Sequence, residues 1–235
     1  MIEAYITNLG KYNEGELYGE YLKLPAEKAD VQALLARIGV DGYLYQETFI
    51  TDYETQIDGL YNLLGEYESV NELNYLAALL ESMEDYELEK YEAALEYGEY
   101  TSSVKDLINL AQNLGSYEYY PNIRNEEDLG YYLIKEYGCE EIPERLEHYF
   151  DYAEYGRDYC ISESGVFTKN GGYVENNHGS FKEYYDGRRV PDEHRIFAYP
   201  DPPEKMPIAK QLEMYAKMIA APAAEKLVTA REERG

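Results

Sequence analysis

Between residues 83 and 99 the carboxylates Asp85, Glu89, Glu92, Glu96 and Glu99 recur at spacings of 4, 3, 4 and 3. On an α-helix that spacing places all five within about 40° of one line. Like charges so placed cost roughly 0.2–0.5 kcal/mol per neighbouring pair. Lys90, the cation within the run, points away from the stripe. Selection for stability alone would intersperse lysines; the plain alternative is a solvated polar face. The same excess returns at Glu126, Glu127 and Asp128, then at Glu140, Glu141, Glu144, Glu147, Asp151 and Glu154. The trio also suits a helix N-terminus, where the macrodipole favours negative charge. The chemistry such rows offer is electrostatic rather than bond-making. A helix advances about 5.4 Å per turn, so successive acids on one face stand a few ångströms apart.

The charge is unevenly distributed. The 235 residues carry 47 Asp and Glu against 21 Lys and Arg, a net of −26. Residues 1–187 hold 39 against 12, a net of −27, and residues 188–235 hold 8 against 9, a net of +1. Duplex DNA carries one phosphate charge per roughly 1.7 Å of axis, so the acidic part matches about 46 Å of duplex, or some 13 to 14 base pairs. A slender body with this density of carboxylates would look like DNA to a basic groove and release its counterions. The same acidity excludes nucleic acid and anionic membranes as partners of the general surface. No apolar run approaches the roughly 18 residues that span a bilayer. The start MIEAYITNLG lacks the basic and apolar regions of a signal peptide, so a soluble cytoplasmic protein is expected. Tyrosine occurs 29 times and tryptophan never, so tyrosine must build much of the core.

The elements that position the acids can be read from caps and periodicity. Ala4–Leu9 and Glu16–Leu24 read as strands around a loop at Gly10–Gly15, and a helix runs from Pro25 to Ile38 before Gly39. Tyr45–Tyr53 reads as a third strand. Ser69-x-x-Glu72 opens a helix over Val70–Glu81. A second helix covers Met83–Tyr97, and Ser103-x-x-Asp106 opens a third to Leu114. Tyr117–Tyr120 reads as a strand. Asn125 caps a helix over Glu126–Tyr137, and Pro143 begins another that Gly156 should end near Tyr155. Tyr159–Tyr184 reads as glycine-broken strands. The Pro-rich stretch Arg188–Pro207 reads as a linker or extended segment, and Ile208–Thr229 as helix up to a kink at Pro222. The fold class is therefore α+β. The expected divisions are 1–66, a small β-sheet with a helix; 67–116, an acidic helical bundle; 117–187, an α/β domain; and 188–235, a linker and helical tail.

Catalytic and metal chemistry find little footing. His148, His178 and His194 are scattered, and no His-Glu-x-x-His, phosphate-binding loop or Gly-x-Ser-x-Gly occurs. Paired carboxylates abound in any acidic chain and do not argue for a hydrolase. Cys139 and Cys160 read as buried free thiols, too few for a zinc site. Asp52, Glu54 and Asp58 miss the spacing of a calcium loop. No enzyme activity, cofactor or metal is expected. Arg157 stands among acids, with Glu154 and Asp158 as local ion-pair partners.

Three segments resemble a known family. Ala4–Pro25 (AYITNLGKYNEGELYGEYLKLP), Phe49–Glu54 (FITDYE) and Pro143–Tyr159 (PERLEHYFDYAEYGRDY) are similar to the ArdA antirestriction proteins of mobile genetic elements. Leu146, Tyr149, Asp151, Tyr152, Tyr155, Gly156, Arg157 and Asp158 match the family's antirestriction motif in order and spacing, and Asn177-His178-Gly179-x-Phe181 resembles its closing segment. The resemblance covers about residues 3–184. It implies an elongated row of three small domains, a homodimer, and mimicry of bent B-form DNA. It also implies a partner: type I restriction-modification enzymes, whose specificity and methyltransferase subunits would be blocked in their DNA groove. The motif residues would then support the fold and the dimer contact, with Arg157 ordering the motif. The rival from another class is an acidic adaptor or chaperone for a basic nucleoid protein.

Overall fold

The computed structural model of the chain describes residues 2–201 together with Leu212. The expected helix Ile208–Thr229 falls outside the described residues, Leu212 excepted. The fold mixes helices with two three-stranded sheets, an α+β architecture. The chain forms two compact units. The smaller comprises Ala4–Leu22, Ala26–Asp52 and the described residues from Ile196 on. The larger comprises Tyr53–Arg195 with Lys23–Pro25 and the first residues of the chain.

Strands β1 (Ile2–Asn8), β2 (Gly19–Leu24) and β3 (Thr48–Thr55), most of whose residues belong to the smaller unit, form a sheet in the order β2-β1-β3. Helix α2 (Lys28–Arg37) buries Val31, Leu34 and Leu35, and Ala4, Ile6, Leu22, Phe49 and Ile50 are buried on the strands. The expected loop at Gly10–Gly15 instead contains a short helix, α1 (Leu9–Asn13), because the Asn8 side chain accepts the Lys11 N–H and caps it. Tyr199, from the stretch read as linker or extended, lies over Gly42 and donates its hydroxyl to the Gln46 carbonyl.

The larger unit begins with helices α3 (Val70–Glu81), α4 (Asp85–Tyr97) and α5 (Val104–Gln112). Ser69 and Ser103 cap α3 and α5 through the N–H groups of Glu72 and Asp106, as their sequence patterns require. A second sheet of β4 (Tyr117–Pro121), β5 (Val166–Phe167) and β6 (Gly172–Asn176) has the order β4-β6-β5. Both pairings are antiparallel, with Tyr117 opposite Asn176 and Val166 opposite Val174. Helices α6 (Glu126–Tyr132) and α7 (Tyr152–Glu163) complete the unit.

Period two explains why this sheet is covered on both faces. Tyr117 and Tyr119 point to α4, where they meet the rings of Tyr97 and Tyr86. Tyr120 and Tyr173 point to the other side, into a cluster with Ile123, Leu129 and Leu133. Tyr91, Tyr117 and Tyr173 are fully buried, so tyrosine does build the core.

The segment around the motif departs from the sequence reading. Asn125 caps α6, but the helix changes to π-helical winding over Leu133–Tyr137 before Gly138. Pro143 opens only a 3-10 helix, Glu144–Tyr149, after which Phe150 is extended. Asp151 then caps α7 by accepting the Glu154 N–H. Gly156 is therefore inside a helix rather than at its end, and most of the strand reading over Tyr159–Tyr184 gives way to α7 and loop. The two cysteines also differ from expectation: Cys139 is exposed and Cys160 half-buried.

Candidate interaction surface

All fourteen carboxylates singled out in the sequence belong to the larger unit. They divide into two kinds. Asp85, Glu89, Glu126, Glu127, Glu140, Glu141 and Glu144 are exposed and present charge to solvent. The other seven accept hydrogen bonds or ion pairs that build the unit. Glu92 accepts the Asp58 N–H at 3.0 Å, Glu96 accepts the Lys169 N–H at 3.1 Å, and Glu99 accepts the Asn176 amide at 2.9 Å. Asp128 accepts the Arg124 N–H at 3.1 Å, Glu147 pairs with Lys135, Asp151 caps α7, and Glu154 pairs with Arg157 at 3.0 Å.

The stripe on α4 is thus not simply a solvated face. Its C-terminal half reaches across to donors on the β5–β6 loop, at the end of β6 and on the chain before Leu60. Between them lies a cleft of about 380 Å³ lined by Glu89, Glu92, Glu96, Tyr119, Asn122 and Asn170. Burial pushes the Glu92 carboxyl above the usual carboxylate range, and the charges of Asp58, Glu89 and Glu96 add to this against the Asp58 N–H. Lys90 is half-buried, and desolvation lowers its pKa. The structure therefore adds Asp58 to the group; the sequence marks it only as a position that misses a calcium-loop spacing, because it precedes α4 by a whole helix.

The motif residues assemble a helix crossing. Tyr155, with Tyr159 and Cys160 of α7, packs on the cluster of Ile123, Leu129, Leu133 and Tyr173. The Phe150 ring meets Tyr152 at 4.9 Å and Tyr155 at 5.6 Å, and Tyr152 meets Tyr131 of α6 at 5.5 Å. Gly156 and Gly130 let α7 and α6 touch through their backbones. A Cβ at Gly156 would stand 1.9 Å from the Glu126 carbonyl oxygen, and one at Gly130 would stand 1.9 Å from that of Tyr152. Leu146 and Tyr149 are exposed, Tyr149 by 85% of its surface, and Arg157 and Asp158 are also exposed.

Glu175, unmarked in the sequence, is buried near the end of β6 with only 6% of its surface exposed. Its Oε1 accepts the Tyr159 hydroxyl at 3.0 Å and the Tyr120 hydroxyl at 3.4 Å, while Oε2 has no hydrogen-bond partner among the described residues. Burial raises its pKa, and the tyrosine hydroxyls oppose the shift. The signal that could have found it is register: Glu175 faces the same side as Tyr173.

Among the described residues, no group of three or more His, Cys, Asp or Glu side chains could hold a metal ion. No helix among them is long and apolar enough to cross a membrane. No curated protein matches the chain. The family model described as antirestriction protein (ArdA) matches residues 4–175, which include every carboxylate of the surface and the whole motif. The chain accordingly belongs to the ArdA family of antirestriction proteins, inhibitors that act on restriction-modification enzymes.

Proposed function

We propose that this protein mimics B-form DNA and competitively blocks the DNA-binding groove of type I restriction-modification enzymes, acting as a homodimer without catalysis of its own. The partner surfaces are the basic grooves of the specificity and methyltransferase subunits. The observation that carries the reading is the net −27 over residues 1–187, held in a folded, tyrosine-rich body with ten of the singled-out acids exposed. A fixed array of carboxylates repels itself in the free protein, and a basic groove relieves that repulsion while both partners release counterions. The motif helps by joining α6 to α7, which fixes the acids at their N-termini relative to one another. Leu146 and Tyr149 offer apolar surface for the dimer contact.

Charge spread over many groups makes single changes weak and joint changes strong. Neutralising Asp85, Glu89, Glu126, Glu127, Glu140, Glu141 and Glu144 together, by Asp→Asn and Glu→Gln, leaves the internal hydrogen bonds in place. The mimic reading expects this variant to keep its melting temperature, lose most of its inhibition of a type I enzyme, and show a shallower salt dependence of binding. Full inhibition by the folded variant would refute the assignment of this surface. Binding that persists on enzyme already loaded with duplex would favour the adaptor reading instead.

A further inference from the structure

Residues 177–195 lie beyond the matched family region, yet they are seated on the larger unit. This segment contains no strand and only a single 3-10 turn, Asp192–His194. Its main chain is held by side chains rather than by a neighbouring strand. Asn109 on α5 and Asn113, the residue that caps its C-terminus, stand one turn apart, 3% and 7% exposed. Asn109 Oδ1 accepts the N–H groups of Tyr184 at 2.8 Å and Tyr185 at 3.0 Å, and its Nδ2 donates to the Tyr185 carbonyl at 2.8 Å. Asn113 Oδ1 accepts the Lys182 N–H at 2.9 Å, and its Nδ2 donates to the Lys182 carbonyl at 2.8 Å.

Each amide is also oriented by its own helix. Asn109 Nδ2 donates to the Lys105 carbonyl and Asn113 Nδ2 to the Asn109 carbonyl, both one turn back. These bonds to the helix's own carbonyls fix each amide with its oxygen toward the segment. Side-chain anchors stand at the end of these backbone contacts and beyond it. Tyr185, 5% exposed, packs edge-on against the Tyr75 ring and donates its hydroxyl to Glu72 at 2.9 Å. His194 stacks on Tyr75 at 4.7 Å, and Val190 is buried between the two anchors in sequence. Lys105 pairs with Glu183 at 3.2 Å.

We propose that this face of α3 and α5 is a peptide-binding seat whose ligand is the chain's own segment 181–195, and that the seat accepts the same segment as a separate peptide once its own has been cut free. Main-chain hydrogen bonds joined to side-chain anchors are the means by which a groove holds a peptide. Emptying the seat hands two amide oxygens to water and exposes the apolar surface that Tyr185 and Val190 cover, and it is that surface that favours the occupied state.

Two experiments test this. In the uncut protein, the amides of Lys182, Tyr184 and Tyr185 should exchange with deuterium in an opening separate from that of α3 and α5. Asn109→Ala should quicken their exchange about tenfold or more while the amides of α3 and α5 keep theirs. Exchange of segment and helices as one unit, in both proteins, would overturn the proposal, because the segment would then be ordinary core. In the second experiment, protease sites are inserted between Gly179 and Ser180, both exposed, and after Arg195. After cleavage, a fluorescent peptide of residues 180–195 should bind saturably to the cut protein and not to the uncut protein. Its Tyr185→Ala form should bind about tenfold or more weakly. Equal binding by the two peptides, or none by either to a cut protein that keeps its helical circular dichroism, would defeat the proposal.

Discussion

Replacing Gly156 by alanine sets two effects against each other, and their magnitudes decide the sign. In a helix interior alanine is favoured over glycine by about 1 kcal/mol. Against this, the new Cβ would lie 1.9 Å from the Glu126 carbonyl oxygen and 2.7 Å from the Gly130 nitrogen. Both neighbours are backbone, so neither can rotate away. A carbon–oxygen contact settles near about 3.3 Å, so α6 and α7 must part by roughly 1.4 Å. A gap of about 1 Å already forfeits up to half of the dispersion energy across it. The contacts at risk are those of Tyr155 and Tyr159 with Leu129 and Leu133. Forced repacking of this kind costs about 3 kcal/mol or more, leaving a net loss near 2 kcal/mol after the propensity gain. In a chain of this size that loss lowers the melting temperature by about 4–8 °C, readable by far-ultraviolet circular dichroism. Gly115→Ala is the control, because nothing lies within 4 Å of a Cβ there. It should change stability by less than about 0.5 kcal/mol. If Gly156→Ala instead matched wild type or melted higher, propensity would have won and the crossing would not be the motif's purpose.

Three further outcomes follow from the same structure. The raised pKa of Glu175 means the native state keeps its proton to higher pH than the unfolded chain does. Its contribution to stability is therefore full below the unfolded value, about 4.3, and is lost as pH rises through the folded value. Glu175→Gln should flatten the stability profile across that window, as urea titrations at a series of pH values would show; an unchanged slope would rule Glu175 out as its source. Asp151→Ala removes the cap of α7 and should cost about 1 kcal/mol by urea denaturation, where no loss would contradict the capping role. Converting Glu92, Glu96 and Glu99 to alanine should lower stability because their backbone and amide donors lose partners, whereas Asp85→Asn with Glu89→Gln should not. Equal melting temperatures for the two variants would contradict the division of the stripe into structural and solvent-facing acids.

The parts of this fold legible in sequence are those fixed locally. Ser69 and the spacing that follows it define α3 to the residue, because cap and periodicity agree. Gly98, at φ +89°, ends α4 as a helix-stopping glycine should. Gly156 misleads by the same rule, because the need for glycine there comes from a second helix thirty residues earlier in the chain. Asp151 is one acid among many, and nothing in its neighbourhood distinguishes a cap from a surface charge. The stripe on α4 is visible as a periodicity, but not the donors from Asp58 and Lys169 that meet it. Asn109 and Asn113 read as ordinary polar positions on a helix, since their ligand arrives some seventy residues later.

The central claim is competition for a DNA site, and a displacement titration tests it most directly. A fluorescent duplex carrying the recognition sequence is bound to a type I methyltransferase and titrated with this protein at several salt concentrations. The account predicts complete displacement, an apparent affinity that falls in proportion as duplex concentration rises, and steep weakening with salt. A ternary complex in which protein and duplex are bound together, or displacement indifferent to salt, would contradict it.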